Sequence, residues 1–361
     1  MNAMPEGNAI IYSEGAFNTP NGKTAHGLVR FTLRYNVVCV IDSKYAGQDA
    51  GVVLDNKEKN IPVVANVDEA LKTAAAKSLK ATHFVIGLAP DGGRLSDTAR
   101  KDVKKALKLG LNVDSGLHDF LTEDSEMVKL AKESKAVIRD VRKTPARKDL
   151  HFFTSKIEEV DSYVIAVLGT DSAIGKRTTA WIIVNALRKE GFKAELIGTG
   201  QTAWMQGAKY SIILDSLIND FVAGEIEHAV WSAWNNEKPN FIVIEGQGSL
   251  MNPAYPGGFE ILAAGRPDCV ILQHAPARKE YDGFPGYNLH PLSKQVKAIE
   301  SISGKQVIAV TLNHENLTPK EVEKHCTDIL KLHDLPAFDV LLNGPDKLIK
   351  TILAHKKNSK I

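Results

Sequence analysis

The chain has 361 residues, which is too long for one ordinary domain and suits two. Its 45 basic and 43 acidic side chains leave a net charge of +2, which argues against a broad basic surface for nucleic acid or an anionic membrane. The three cysteines lack metal-ligand spacing, and neither a signal-peptide pattern nor a membrane-length apolar run is present, so we expect a cytoplasmic protein with free thiols.

Short apolar, β-branched runs alternate with helical patterns through the first half of the chain. The clearest helical pattern is Ser96–Leu109, with Ser96 as the N-cap. This alternation is typical of βαβ units and a mostly parallel sheet. The predicted strands of this half are Ala9–Tyr12, Val37–Ile41, Ile61–Val64, His83–Gly87 and Ala136–Arg139.

The first half also contains a glycine turn after its first predicted strand. There Gly22-Lys23-Thr24 opens a predicted helix, although the spacing from Gly15 is long for a phosphate-binding loop. Asp42 ends the second predicted strand, where a dinucleotide-binding fold places its ribose-binding acid. Further along, Asp114 and His118 are close enough in sequence to pair, or both are solvated. A ligand-binding domain and a purely structural domain therefore both remain open for this half.

A charged, aperiodic stretch over residues 140–160 interrupts the pattern. We therefore divide the chain into a first domain at 1–145, a linker at 146–160 and a second domain at 161–361. The apolar runs of the second domain do not alternate with polar residues, which is typical of parallel strands covered on both faces. Its predicted strands are Tyr163–Leu168, Ala194–Ile197, Phe241–Glu245, Cys269–Gln273, Gln306–Leu312 and Ala337–Leu341, and its predicted helices are Lys176–Glu190, Asp215–Trp234, Ser293–Ser301, Pro319–Leu332 and Asp346–Ala354.

The strongest motif of the chain follows the first strand of the second domain. The segment Gly169-Thr170-Asp171-Ser172-Ala173-Ile174-Gly175-Lys176-Arg177-Thr178 leads from that strand into a helix, which is the arrangement of a P-loop. Glycines let the backbone approach an anion, the helix start supplies N–H groups and the positive end of its dipole, and Lys176 adds a cation for phosphates. The usual pattern has Ser or Thr directly after the lysine to hold Mg²⁺, but here Arg177 stands there and Thr178 follows. The motif therefore predicts phosphate binding and leaves magnesium binding open.

An acidic residue ends a neighbouring predicted strand, where Phe241–Ile244 leads into Glu245. P-loop proteins place a metal-binding acid or a base at such a strand end. A helix cap or a salt bridge is the structural alternative. We take Glu245 as the first candidate for a general base, and the backbone amides of Gly246 and Gly248 as candidates to stabilise an oxyanion.

Polar residues follow the other strands of the second domain, at the sheet edge where α/β proteins bind ligands. Gln201 and Thr202 are candidates for substrate contact, with a simple turn as the alternative. His274 is the second candidate base, and Arg278 could pair with a carboxylate or phosphate, with a solvated loop as the alternative. Asn313 ends a strand at a position from which its amide could read the edge of a base.

These motifs together resemble a bacterial and archaeal two-domain family described as conserved domains of unknown function. The resemblance covers nearly the whole chain and rests on N-G-K-T-A-H-G-L-V-R, A-P-D-G-G-R-L, S-G-L-H-D-F-L, G-T-D-S-A-I-G-K-R-T-T, G-T-G-Q-T and I-E-G-Q-G-S-L. It implies an α/β fold with an N-terminal Rossmann-like domain and a C-terminal P-loop domain. One branch of that family consists of D-glutamate N-acetyltransferases, so the resemblance also implies acetyl-CoA as the donor and an amino acid as the acceptor.

The P-loop half is also similar to dethiobiotin synthetase, whose G-T-D-x-x-x-G-K and V-E-G-A-G correspond to Gly169–Lys176 and Ile244–Gly248. This similarity implies that Asp171 and Glu245 are linked to a metal, with Thr178 beside them if ATP and Mg²⁺ are used. It also implies that Asn313 reads a base. The chain departs from that enzyme at Arg177, which replaces the threonine after the lysine.

Three functions remain open on the sequence. In the first, the P-loop holds the phosphates of acetyl-CoA and the enzyme acylates an amino acid. In the second, the P-loop holds ATP and Mg²⁺, and the enzyme phosphorylates or ligates a small substrate. In the third, the chain is a non-catalytic nucleotide sensor. We expect a small-molecule partner in each case, no nucleic acid or membrane partner, and a homo-oligomer, because α/β P-loop domains often pair.

Overall fold

The computed structural model describes residues 4–359, apart from the side chain of Asp91. The chain forms two compact units. The first unit contains the chain up to Thr144 together with Gln201–Ala208, and the second unit contains Pro145–Gly200 and the chain from Lys209 onward.

A parallel sheet lies at the centre of the first unit. Its strands are β1 (Gly7–Tyr12), β2 (Tyr35–Ile41), β3 (Val63–Val64), β4 (His83–Ile86), β5 (Asn112–Ser115) and β6 (Ile138–Asp140). They lie in the order β3-β2-β1-β4-β5-β6, so the strand order reverses between β1 and β4. Alternate residues of β1 face opposite sides of the sheet, with Ile10 and Tyr12 in one hydrophobic core and Ala9 and Ile11 in another. This arrangement is the layered α/β fold that the alternating pattern predicts.

The helices of the first unit cover both faces of this sheet. They are α1 (Lys23–Arg30), α2 (Ala50–Asp55), α3 (Val67–Ala76), α4 (Asp97–Lys108) and α5 (Ser125–Ser134). The predicted N-cap of α4 is confirmed, because the Ser96 hydroxyl accepts a hydrogen bond from the Ala99 backbone N–H at 3.2 Å.

A second parallel sheet lies at the centre of the second unit. Its strands are β7 (Tyr163–Gly169), β8 (Ala194–Gly198), β9 (Tyr210–Ser211), β10 (Phe241–Glu245), β11 (Cys269–His274), β12 (Val307–Leu312) and β13 (Ala337–Phe338). They lie in the order β13-β12-β11-β7-β10-β8-β9, which makes β10 and β11 the two neighbours of β7. The loops that follow these three strands therefore start at the same edge of the sheet, where open α/β sheets bind their ligands.

The helices of the second unit agree with the predicted series, with a few differences. They are α6 (Lys176–Lys189), α8 (Asn219–Glu237), α9 (Phe259–Gly265), α10 (Leu292–Ser303), α11 (Pro319–His333) and α12 (Asp346–Asn358). The helix predicted from Asp215 begins at Asn219, because Leu214–Ser216 forms a separate 3₁₀ turn. Helix α9 was not predicted, since it is short and follows a loop rich in Pro and Gly. Within the described residues, no helix combines the length and the apolar character that crossing a membrane requires.

Residues 146–160, predicted as a linker, lie against α8 in the second unit. The buried Glu227 carboxylate of α8 accepts hydrogen bonds from the Thr154 backbone N–H at 2.6 Å and from the Ile157 backbone N–H at 3.2 Å. The Ile157 side chain is buried in the core of this unit. The segment is therefore charged in sequence, yet it is ordered and attached to the second unit.

Helix α7 (Gln201–Met205) packs in the first unit although its neighbours in sequence belong to the second. The Met205 side chain is fully buried in the core beside α1. The Gln206 side-chain amide donates to two backbone carbonyls of the α1 region at 2.8 and 2.9 Å. The Arg34 guanidinium lies 3.8 Å above the Trp204 ring. Apolar burial, hydrogen bonds and a cation–π contact together hold this segment in the first unit.

Candidate functional site

The loop between β7 and α6 has the backbone geometry of a phosphate cradle. Ala173 and Gly175 have φ values of 53° and 102°, in the left-handed region that favours glycine. Helix α6 begins at Lys176, so the N–H groups of its first turn have no carbonyl acceptor within the helix. A Cβ on Gly169 would lie 2.8 Å from the Lys176 Cδ, which explains the first glycine of the motif. Strand, turn and helix start are therefore arranged as the motif predicts.

The Lys176 ammonium lies inside this loop. Only 6% of the residue is exposed, and its Nζ donates to the carbonyls of Asp171 at 2.6 Å and Gly248 at 2.8 Å. Burial lowers the pKa of Lys176 to about 8, against the opposing charges of Asp171 and Glu245. The cation thus joins the P-loop to the loop after β10, and it is partly deprotonated slightly above neutral pH.

The Asp171 carboxylate is fully buried and bonded to protein donors on both oxygens. Its Oδ1 accepts from the Ser172 backbone N–H at 2.7 Å and the Asn252 side-chain amide at 3.0 Å. Its Oδ2 accepts from the Arg278 guanidinium at 2.8 Å and the Asp282 backbone N–H at 3.0 Å. Asp171 therefore ties the P-loop to the loops that follow β10 and β11, which argues against the metal-binding role implied by the synthetase similarity.

Glu245 lies at the carboxyl end of β10 and is 5% exposed. One carboxylate oxygen accepts from the Thr199 backbone N–H at 3.0 Å, and the Thr199 hydroxyl donates to the Glu245 carbonyl at 2.9 Å. Burial raises the pKa of Glu245, while the charges of Arg177 and Lys176 oppose that shift. A carboxylate with a raised pKa beside a phosphate cradle fits a general base.

His274, the second candidate base, is bonded to the P-loop. Its Nδ1 lies 3.0 Å from the Thr170 hydroxyl, and the Thr170 backbone N–H donates to the Gln273 carbonyl at 3.0 Å. Burial lowers the pKa of His274 to about 4, so the imidazole is a weak proton acceptor at neutral pH. The structure therefore favours Glu245 over His274 as the base.

Arg278 and Asn313 are both half-buried and hydrogen-bonded to the P-loop. Besides Asp171, Arg278 pairs with the Glu315 carboxylate and donates to the Ser172 carbonyl at 2.9 Å. The Asn313 amide donates to the Ile174 carbonyl at 3.1 Å and accepts from the Glu315 backbone N–H at 2.9 Å. Both side chains therefore hold the P-loop in place, and substrate contact by Arg278 and base reading by Asn313 stay predictions.

The remaining predicted residues lie in varied surroundings. Thr178 is half-buried in the first turn of α6. The Gly246 backbone N–H donates to the Val167 carbonyl at 3.0 Å, so it is used within the sheet and Gly248 is the better oxyanion candidate. Gln201 and Thr202 are buried in the first unit, where the Thr202 hydroxyl lies 3.0 Å from that of Thr24. The structure therefore places these two side chains in a core rather than on an open loop.

Sequence reasoning missed Gln273 and Asn252. The buried Gln273 side-chain oxygen accepts from the hydroxyls of Thr179 at 2.6 Å and Thr311 at 2.5 Å, which joins α6 to β11 and β12. A glutamine at the end of an otherwise apolar strand was the available signal. Asn252 lies in a loop of small residues, and nothing in its sequence context indicates that it bonds to Asp171. Within the described part of the chain, no group of three or more His, Cys, Asp or Glu side chains is arranged to hold a metal ion.

The glycine turn of the first unit is closed by protein groups. The Ala25 backbone N–H, in the first turn of α1, donates to the Gly87 carbonyl at 3.0 Å. The fully buried Asp42 carboxylate accepts from the backbone N–H groups of Phe17 at 2.8 Å and Lys44 at 3.0 Å. Asp42 thus holds the turn after β1 in place, and these contacts argue against its expected role at a ribose.

Asp114 and His118 do not pair. Asp114 is fully buried and accepts from the Tyr35 hydroxyl at 2.6 Å and from the Arg139 guanidinium at 2.7 Å. His118 is exposed. An arginine on the neighbouring strand β6 is therefore the partner of this acid, rather than the nearby histidine.

Comparison with known proteins gives the family of the chain. A family described as a domain of unknown function (DUF1611_C), a P-loop domain, matches residues 151–349, and its companion Rossmann-like domain (DUF1611_N) matches residues 43–144. The chain belongs to the DUF1611 family. A solved DUF1611 structure from Anabaena variabilis ATCC 29413 has 26% sequence identity, a TM-score of 0.87, and coverage of 97% of this chain and 100% of its own. The predicted fold class and the family resemblance are confirmed.

Curated relatives of this DUF1611 chain carry the name D-glutamate N-acetyltransferase. The protein of Tritonibacter scottomollicae is 28% identical over 79% of this chain and 84% of its own length. The protein of a Pseudoalteromonas species is 26% identical over 77% of this chain and 83% of its own length. In both cases the similarity extends over most of both chains.

Proposed function

We propose that this DUF1611 protein is a cytoplasmic N-acetyltransferase that moves the acetyl group of acetyl-CoA to the amine of an amino acid related to D-glutamate. In this proposal the P-loop holds the coenzyme phosphates, with Lys176 as the cation and the first turn of α6 as the source of N–H donors. The names of the two curated relatives support the reaction class.

The observation that carries the proposal is the buried Glu245 carboxylate beside the phosphate cradle. An amino acid carries a protonated amine at neutral pH, and the amine must lose a proton before its nitrogen attacks a carbonyl carbon. Because burial raises the pKa of Glu245, its carboxylate is a better proton acceptor than an exposed glutamate. General-base catalysis of this kind contributes typically about 10²–10⁴-fold to the rate.

Acetyl-CoA would supply the reactive thioester when bound. As the amine nitrogen bonds to the carbonyl carbon, negative charge develops on the carbonyl oxygen, and the Gly248 backbone N–H is the candidate donor to it. Breaking the carbon–sulfur bond then releases CoA as a thiolate, which takes up a proton, and the N-acetyl amino acid remains. The nitrogen loses a second proton as the amide forms, so that of the two protons it gives up one neutralises the CoA thiolate and the other goes to solvent, with Glu245 as the proposed acceptor.

Two features favour a coenzyme over ATP as the phosphate ligand. Arg177 occupies the position where ATP-using P-loops have a magnesium-binding hydroxyl. Asp171, which the synthetase similarity implies as a metal-linked acid, is bonded to Arg278, Asn252 and backbone N–H groups. CoA phosphates are not transferred, so lysine, arginine and amide donors are sufficient to hold them.

The test is acetyl transfer in the presence and absence of metal. Purified protein would be incubated with acetyl-CoA and D- or L-glutamate in excess EDTA, and the released CoA thiol would be measured. We expect thiol release that needs an amino-acid acceptor, persists in EDTA and falls in the Lys176→Ala variant. Metal-dependent release of ADP from ATP, without thiol release from acetyl-CoA, would reject this proposal in favour of a kinase-type enzyme.

A further inference from the structure

Three aromatic side chains lie together on the two loops that are tied to the P-loop. Tyr255, in the loop after β10, and Tyr287, in the loop after β11, are 60% and 58% exposed. Phe284 lies between them, with its ring centroid 6.3 Å from that of Tyr255 and 6.5 Å from that of Tyr287. We call Tyr255, Phe284 and Tyr287 the aromatic platform. Exposed aromatic rings that contact one another in this way are typical of a binding surface.

Short chains of hydrogen bonds connect this platform to the P-loop. The Asn252 amide donates to the Asp171 carboxylate at 3.0 Å, while its oxygen accepts from the Tyr255 backbone N–H at 2.8 Å. On the other side, the Asp282 backbone N–H donates to Asp171 at 3.0 Å, two residues before Phe284. The aromatic platform is therefore held in a fixed relation to the phosphate cradle by one buried carboxylate.

The local backbone also fixes the two loops. The Ser249 N–H donates to the Tyr255 carbonyl at 3.2 Å, and a Cβ on Gly248 would lie 1.9 Å from that carbonyl oxygen. In the other loop, the Tyr281 N–H donates to the Tyr287 carbonyl at 2.9 Å. The two exposed tyrosines are thus presented by constrained loops, and little conformational entropy is lost when a ligand contacts them.

The topology limits what the platform contacts. Strands β10 and β11 flank β7 on either side, and the Tyr255–Phe284 contact joins the loops that follow them. The platform therefore belongs to loops at the same sheet edge as the P-loop. Asn313, the residue expected to read a base, is bonded at both ends of its amide to backbone groups. The platform is a second candidate surface for recognition of a base.

We propose that the aromatic platform stacks against the planar purine ring of the ligand whose phosphates occupy the P-loop. This inference rests on the phosphate-binding part of the proposed function. Stacking on an aromatic side chain needs no hydrogen-bond reading, and it contributes enough per base to change affinity strongly. In acetyl-CoA the purine ring and the pyrophosphate are joined by a single ribose, so one coenzyme carries both groups that the two surfaces would bind.

The experiment measures binding of four ligands by calorimetry: ADP, CoA, 4′-phosphopantetheine and inorganic pyrophosphate. The variants are Tyr255→Ala and Tyr287→Ala, with Tyr255→Phe and Tyr287→Phe as variants that keep the ring. Leu332→Ala, at a side chain 73% exposed on α11, is the control for loss of an exposed apolar group. We expect each alanine variant to bind ADP and CoA about 5- to 100-fold more weakly, as stacking on one side chain predicts. The phenylalanine variants and Leu332→Ala should bind like the parent.

The ligands without a purine separate this inference from its alternatives. Pyrophosphate and 4′-phosphopantetheine should bind equally well to the parent and to the alanine variants. A loss confined to 4′-phosphopantetheine and CoA would assign the platform to the pantetheine arm, and an equal loss for pyrophosphate would mean damage to the cradle; either result overturns the inference. If the alanine variants bind ADP and CoA as tightly as the parent, the stacking inference is overturned as well. This holds even if the variants differ from the parent in oligomeric state.

The proposed function fails in a different way. If the parent binds ADP with the expected dependence on Tyr255 and Tyr287 but does not bind CoA, the stacking surface is supported and the CoA-dependent reaction is rejected. If the parent binds CoA and the alanine variants bind it equally well, the stacking inference is rejected and CoA binding by the P-loop is supported. If the parent binds none of the four ligands, both the stacking inference and the proposed function are rejected.

Discussion

Each unit carries a glycine–lysine turn between a central strand and a helix, and the two turns have opposite surroundings. In the second unit, Gly175 has a φ of 102° and the buried Lys176 ammonium reaches carbonyls of two loops. In the first unit, Gly22 ends a 3₁₀ turn with a φ of −89°, and the Ala25 N–H is already bonded to the Gly87 carbonyl. The turn of the second unit therefore has donors directed to a candidate ligand site, whereas backbone N–H groups in the turn of the first unit donate to protein carbonyls.

Two buried acids repeat this contrast. Asp42 directly follows β2, a neighbour of the first strand of its sheet, and both of its oxygens accept backbone N–H groups. Glu245 ends β10, a neighbour of β7, and one of its oxygens accepts a single backbone N–H from Thr199. Equivalent positions in similar sheets thus carry a structural acid and a candidate base. The comparison teaches that the partners of a group, rather than its place in the fold, decide whether it is available to a ligand.

The largest expected effect comes from Glu245→Gln. The amide keeps an oxygen to accept the Thr199 N–H, so the fold is retained, but it cannot take a proton. We expect acetyl transfer to fall about 10²–10⁴-fold with little change in the dissociation constant for acetyl-CoA. Steady-state rates and calorimetry measure the two quantities separately. Near-parental activity would remove Glu245 from the role of base.

Lys176→Ala tests the difference between the two turns, with Lys23→Ala as its matched control in the first unit. Loss of a charged donor to phosphate should weaken acetyl-CoA binding by roughly 10- to 100-fold, from about 1.5–3 kcal/mol for a charge-assisted hydrogen bond. Lys23→Ala should leave the affinity unchanged. If calorimetry shows that both variants lose acetyl-CoA affinity to a similar extent, the two turns do not differ in ligand binding.

Asp42→Asn is the structural counterpart of Glu245→Gln. The new amide nitrogen cannot accept one of the two backbone N–H groups of Phe17 and Lys44, and a buried unsatisfied donor costs about 1–3 kcal/mol. The free energy of unfolding in urea should fall by about that amount, while the acetyl-CoA affinity of the folded protein should not change. A variant as stable as the parent but weaker in coenzyme binding would instead place a ligand in the first unit.

The smallest effect near neutral pH concerns the protonation of the Lys176 ammonium. Its pKa of about 8 in the free protein means that the cation is lost as the pH rises through that value, while phosphate binding favours the protonated form. The dissociation constant for acetyl-CoA should therefore be constant near pH 7 and rise towards tenfold per pH unit above about 8. A Lys176→Arg variant, which keeps its charge, should show no such rise. A parental affinity that stays constant up to pH 10 would refute the assignment.

Periodicity was sufficient to predict the fold class, although the short strands β5 and β9 are missing from the predicted set. Buried parallel strands are short apolar runs, so β1, β2, β7 and β10 could be located from their side chains alone, and the P-loop followed from glycine spacing and strand context. These features are local in sequence, because they depend on residues within one turn or one strand. Helix boundaries near the Leu214–Ser216 turn were harder to locate, since a 3₁₀ turn and an α-helix share the same residue preferences.

The partners of the site residues could not be predicted in the same way. Asp171 lies 107 residues from Arg278 and 81 from Asn252, and no local pattern connects them. The acid was therefore assigned to a ligand, although its hydrogen bonds are satisfied by protein. The contact of Asn313 with the Ile174 carbonyl could not be predicted either, because it depends on how two distant loops meet.

The placement of α7 has a consequence for how the two domains are inherited and separated. Gln201–Ala208 belongs to the first unit, so the chain passes between the units after Thr144, after Gly200 and after Ala208. A polypeptide that stopped at Thr144 would lack Met205 and expose the apolar surface that this side chain covers. The Rossmann-like domain is thus discontinuous in the gene, and no single break in the coding sequence yields both domains whole. Recombination that moved either half alone would leave the first unit incomplete.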